Sequence, residues 1–118
     1  MRADDLTRLT RLQSAMLEAS LAQLRSVSAA RNKTRGALED LSRGASPNAD
    51  YGLSGAAADL AALAYQRWAD SRRAELNSQL ARQTAVWLEA RDAARTAFGR
   101  DQALRALMNR QTAKKPGA

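Results

Sequence analysis

The chain has no cysteine and no histidine among its 118 residues. Without thiols it can form neither disulfides nor thiolate nucleophiles, and cysteine-based zinc sites are excluded. Without imidazole it lacks the commonest general base and the commonest transition-metal ligand together. Most hydrolytic and metalloenzyme mechanisms fall with these two absences. Aromatics are scarce, with one Phe, two Tyr and two Trp, and there are only two Pro. Long hydrophobic runs are also missing: nothing approaches the roughly 20 continuous apolar residues of a membrane span, and Met1 to Asp5 opens onto charged sequence instead of an apolar signal core. These features predict a cytoplasmic protein.

What remains is Ala, Leu, Arg, Gln and Ser, with very few β-branched residues, a composition that favours helix and disfavours strands. Apolar residues make up 45% of the chain, but many are alanines that bury little area each, so a thick globular core would be hard to fill. A slender helix pair needs less. The expected fold is therefore all-α: a single antiparallel two-helix coiled-coil hairpin over 1–118, with helices of unequal length.

Asp4 or Asp5 is placed to cap the first helix, and Leu6, Leu9, Met16, Leu17, Leu24, Val27, Leu38 and Leu41 recur at helical intervals. They predict helix one over about 4–42. Its stripe starts as a heptad through Leu6, Leu9, Gln13 and Met16, then slips by about one residue, as at a stutter, to reach Leu24 and Val27. Gly44 and Pro47 mark a stop, giving a connecting loop over about 43–53. Ser54 then caps helix two, about 54–113, carrying Leu60, Leu63, Leu76, Leu80, Trp87, Phe98, Leu104 and Met108. A turn centred near residue 48 sets Met16 opposite Leu80 and Leu9 opposite Trp87.

At 1.5 Å per residue, helix one spans about 58 Å and helix two about 85 to 90 Å. The expected consequence is an overhang of roughly 20 residues, Ala93 to Thr112, uncovered by helix one. It contains the candidate partner-binding residues Phe98, Arg100, Leu104, Arg105, Leu107, Met108 and Arg110, apolar anchors rimmed by cations. The net charge of +7 is concentrated here: Arg91 to Ala118 holds seven basic residues against Asp92 and Asp101, or +5. A solvated, dipole-complementing face explains that excess as readily as an acidic protein partner does. Arg25, Arg31, Lys33 and Arg35 form a second basic cluster, with Arg31 close enough to the seam to pack its stem there. Trp87 reads as a packing residue, Trp68 equally as packing or as a partner anchor, and Tyr51 as a cover for the loop end.

No glycine-rich phosphate loop is present, because Gly44, Gly52 and Gly55 fit neither nucleotide-binding spacing. Glu89 and Asp92 lie one turn apart among arginines, which points to ion pairing over acid-base work. The sequence implies no enzyme activity, no catalytic residue, no cofactor and no metal site.

The segment SRRAELNSQLA from Ser71 to Ala81, followed by AARTAFGRDQALRALMNR from Ala93 to Arg110, resembles the flagellar FliJ and type III secretion (injectisome) YscO stalk family. RLTRL from Arg8 to Leu12 fits the same plan. The resemblance implies a non-enzymatic stalk or adaptor of a flagellar or type III protein export apparatus. Its expected partners are the export ATPase ring, the membrane export gate and export chaperones, at the inner face of the membrane. Two other readings stand beside it: a basic helical nucleic-acid-binding protein, and a homodimeric structural coiled coil. Spread-out cations and apolar-facing aromatics make nucleic acid the weaker of these, since single-strand binding needs stacking platforms and a concentrated basic groove.

Overall fold

The computed structural model describes residues 2–44 and 55–114. The fold is an all-α helical hairpin of unequal helices: α1 spans Ala3–Ser42 (40 residues) and α2 spans Ala56–Lys114 (59 residues). Pro47, Tyr51 and the expected Ser54 cap lie outside the described residues. No helix among the described residues is long and apolar enough to cross a membrane.

The helix ends follow simple chemistry. Asp4 and Asp5 lie inside the first turn of α1, where their charge complements the helix dipole. The cap position falls on Arg2, whose carbonyl accepts from Leu6 N–H at 3.1 Å, so neither aspartate is the expected cap. At the other end Gly44 N–H bonds the Leu41 carbonyl at 3.2 Å, closing a tightened last turn. Gly55 immediately precedes α2 at φ +65°, a left-handed conformation that a side chain would strain. Asp59 in the first turn and Lys114 in the last complement the dipole of α2.

The chain divides into two compact units, one built from Met1–Ser28 and Val86–Ala118, the other from Ala29–Ala85. In the first, the terminal unit, the seam row of α1 is Leu6, Thr10, Gln13, Leu17, Ser20, Leu24 and Val27, all buried or half-buried, with half-buried Thr7, Ser14 and Ser28 beside it on one flank. The row alternates in steps of four and three without the expected stutter, as an uninterrupted heptad does. Leu9 and Met16, expected in this seam, are exposed instead. The facing positions of α2 are Trp87, Ala90, Ala94, Ala97, Asp101, Leu104 and Met108, in the same steps. A central run of alanines lets the helices approach closely, and it makes the polar seam residues tolerable. Gln13 Nε2 reaches the Ala97 carbonyl at 3.4 Å, and Thr10 Oγ1 sits 2.8 Å from the Leu6 carbonyl and 2.9 Å from the Met108 sulfur.

These contacts overturn the expected register. Trp87 does not face Leu9: its indole N–H donates to Ser28 Oγ at 2.9 Å, about 19 residues further along α1, or about five turns. Ala3, Leu6 and Thr7 line one cavity with Met108, Gln111 and Thr112, so the segment Ala93 to Thr112 is no overhang. It is the partner of the first half of α1. The symmetric-turn assumption fails because the pairs Ser28–Trp87 and Ser14–Asp101 are centred between residues 57 and 58, inside α2 itself, instead of near residue 48.

In the second, central unit, Arg31, Thr34, Leu38 and Leu41 of α1 continue the same spacing, and Arg31 Nε donates to Thr84 Oγ1 at 3.0 Å. On α2, Ala69, Arg73, Leu76, Leu80 and Gln83 form the less exposed side. Leu41, next to the end of α1, shares a cavity with Tyr65 and Trp68. The opening turns of α2 therefore extend past α1, and the surplus length of the longer helix lies here. Leu60 in these turns is 68% exposed.

The core is thin. Among the described residues the buried apolar side chains are Leu6 and Leu76, each 3% exposed, and five alanines. A fully buried leucine contributes about 1.5 to 3 kcal/mol and an alanine methyl far less, so helix propensity carries much of what packing cannot.

Candidate protein-docking surface

The seven residues expected to form one binding surface do not share a face. At 100° per residue, Leu104 and Met108 belong to the seam of the terminal unit, where both are half-buried. Phe98 and Arg105 lie on one flank of that seam, while Arg100, Leu107 and Arg110 lie on the opposite flank or beyond it. Phe98 is 55% exposed, and Arg100, Leu107 and Arg110 are exposed as well.

On the Phe98 flank the main feature is an ionic network. Asp101 is 3% exposed at a seam position. One of its carboxylate oxygens accepts from Arg105 Nε at 2.8 Å and the other from Ser14 Oγ at 3.0 Å. Arg105 Nη2 also reaches Ser14 Oγ at 3.5 Å. The Arg105 hydrogen bond holds the Asp101 carboxyl below its usual range, against the desolvation that would raise it; the Ser14 hydrogen bond and the Arg105 charge add to the lowering. Arg105, expected as a partner contact, thus has a structural role: it neutralises the one buried carboxylate of the terminal unit among the described residues. Sequence reading counted Asp101 only as a charge and passed over Ser14. Their heptad positions, adjacent across an antiparallel seam, are the signal that identifies them.

A carboxyl whose folded pKa lies below its unfolded value contributes stability that is complete above the unfolded value, about 3.9 for Asp, and is lost as pH falls through the folded value. Asp101 is therefore expected to titrate below free aspartate in a carboxyl NMR titration, and Arg105→Ala to move it upward. An ordinary titration in both proteins would show that the network does not persist in solution.

In the central unit, the rings of Tyr65 and Trp68 lie 5.9 Å apart at 41° and line a cavity of about 420 Å³ with Ala37, Asp40, Leu41, Arg72 and Leu76. Its charged walls are already engaged: Arg72 with Glu75 at 3.3 Å and Asp40 with Arg43 at 2.9 Å. Trp87, expected to pack, is half-buried and stacks under the Arg91 guanidinium at 5.4 Å. Of the second basic cluster, Arg31 is half-buried at the seam, whereas Arg25, Lys33 and Arg35 are exposed and point in different directions. Asp92, of the acidic pair with Glu89, lies 3.6 Å from Arg91. No cluster of three potential metal ligands occurs among the described residues.

The face that sequence reading missed is the flank opposite Phe98. Leu9, Leu12 and Met16 lie along one edge of α1, all exposed, with Leu12 at 59%. Leu9 and Met16 read as seam residues because large apolar residues are the natural choice for it, and Leu12 falls outside the expected stripe. Following the four-three steps from Leu6 through polar Thr10 and Gln13 separates the seam from this edge.

Compared with family models, with characterised proteins and with solved structures, the chain gives no match in any of the three.

Proposed function

We propose that the chain is a non-enzymatic adaptor that binds other proteins along its helical pair. The observation that carries this reading is an inverted distribution of side chains. Gln13, Thr34 and Asp101 are buried, whereas large apolar residues including Leu12, Leu60, Trp68, Phe98 and Leu107 are exposed. An exposed leucine is ordinary by itself, but polar groups inside combined with leucines and an indole outside are not.

The resemblance of 71–81 and 93–110 to the FliJ and YscO stalks makes the reading specific: a cytoplasmic stalk or adaptor of a flagellar or type III export apparatus. Its first partner would be the export ATPase ring, with the export gate and chaperones as further ones. Paired helices suit a stalk, whose work is to present side chains to a ring. The test is a pull-down from cytoplasm with the tagged chain. Recovery of an export ATPase, retained through nuclease treatment and moderate salt, is expected. Recovery of nucleic acid alone, lost under those conditions, would overturn the proposal in favour of a basic nucleic-acid-binding protein.

A further inference from the structure

We infer that the flank of the terminal unit bearing Leu9, Leu12, Met16 and Leu107 is the docking face, and that its occupant is an amphipathic helix with an acidic edge from another protein. The inference rests on the reading of the chain as a protein-binding adaptor and assigns that reading a place and a chemistry.

The geometry begins with the opposite flank. Ser14 bonds Asp101 and Arg105, and Ser28 bonds Trp87, which places Ser14, Ser28 and Arg105 on one edge of the helix pair. Leu9 and Met16 lie across the α1 seam from Ser14, and Arg100 and Leu107 lie across the α2 seam from Arg105. Two helices packed side by side have two such edges, so these four residues share the second one. Leu9, Leu12 and Met16 fall within about 60° of arc, a continuous apolar stripe.

The charges decide what that helix carries. Arg100 and Arg110 stand on the α2 side of this face, exposed and in no ion pair among the described residues. Glu89 lies toward one end of this face; Asp5, beside Leu6, is level with Arg110 at the other end, and Arg100 stands clear of both carboxylates. The other flank, by contrast, has an arginine already committed to Asp101. An apolar stripe bordered by uncommitted guanidiniums is complementary to leucines bordered by carboxylates. A second copy of this chain is the poorer occupant, because self-association through this face gathers the guanidiniums of two chains that each carry +7.

The probe is a fluorescein-labelled, lactam-stapled helical peptide of about 20 residues, with Leu at heptad a and d positions and Glu at e and g, beside a twin with Lys in place of Glu. Anisotropy titrations of the full chain are expected to show the Glu peptide binding at least about tenfold tighter than the Lys peptide. The double variant Leu12→Gln/Leu107→Gln is expected to lose at least about tenfold in affinity with its melting curve unchanged, whereas Phe98→Gln on the other flank binds as the parent does. Arg100→Glu/Arg110→Glu is expected to reverse the peptide preference. Equal binding of the two peptides, no binding of either, or indifference to Leu12→Gln/Leu107→Gln would overturn the inference. So would sedimentation showing a dimer abolished by the same pair, which would give the face to a second copy. Capture of the export ATPase by a chain that ignores the peptide would sink this face and leave the broader proposal standing. Peptide binding without ATPase capture would do the reverse.

Discussion

Deleting Ala103 to Ala118 is expected to lower the thermal midpoint of the chain sharply and to expose the start of α1 to exchange. The segment holds Leu104 and Met108, half-buried against α1, and it supplies the residues that close over Leu6, itself only 3% exposed. Counting Leu6 as fully buried and Leu104 and Met108 as half so, the loss is about 3 to 6 kcal/mol. That is a large fraction of the stability of a small domain. Circular dichroism melting measures the first effect, and amide exchange over Leu6 to Leu17 the second. An unchanged midpoint would mean that 103–112 is uncovered after all, and that the contacts of Met108 with Thr10 and Leu6 do not form in solution.

Leu76→Ala has the second large effect, expected at about 2 to 3 kcal/mol. Leu76 is the buried leucine of the central unit and lines the wall shared by Ala37 and Leu41. So few large side chains are buried there that no neighbour is available to fill the space. Leu60→Ala, in the opening turns of α2, removes an equal volume from an exposed position and is expected within about 0.5 kcal/mol of the parent. Urea denaturation of the two variants, compared at constant m value, distinguishes the sites. Equal losses would show that burial in the central unit is not what separates these leucines.

The helices, the absence of strands among the described residues and the stop around Gly44 were legible in composition and breaker residues, because helix propensity and chain termination are local properties. The register was not, because it depends on which of two stripes faces inward. Leu9 and Met16 compete with Thr10 and Leu17 for the seam. Hydrophobicity alone selects the first pair, but unbroken spacing with Leu6, Gln13 and Leu24 selects the second. The alanines at 90, 94 and 97 then decide in favour of close approach, which a seam lined with Met and Leu on both sides would prevent. The docking residues divided for the same reason: an uncovered tail made Phe98, Leu104 and Leu107 look equivalent, whereas a packed one places them on three different sides. Asp101 was invisible as a site because its significance comes from Ser14, 87 residues away.

That separation also bears on how the chain assembles. Arg31 and Thr84 in the central unit are 53 residues apart, whereas Thr10 and Met108 in the terminal unit are 98 apart. Loop closure costs about (3/2)RT ln n, so closing the longer loop directly from an unfolded chain costs roughly 0.5 kcal/mol more. Once the inner contacts exist, the intervening chain no longer has to be ordered for the outer ones. The cheapest order therefore runs outward from the inner contacts, as a zipper closes, and the contacts of the terminal unit form last.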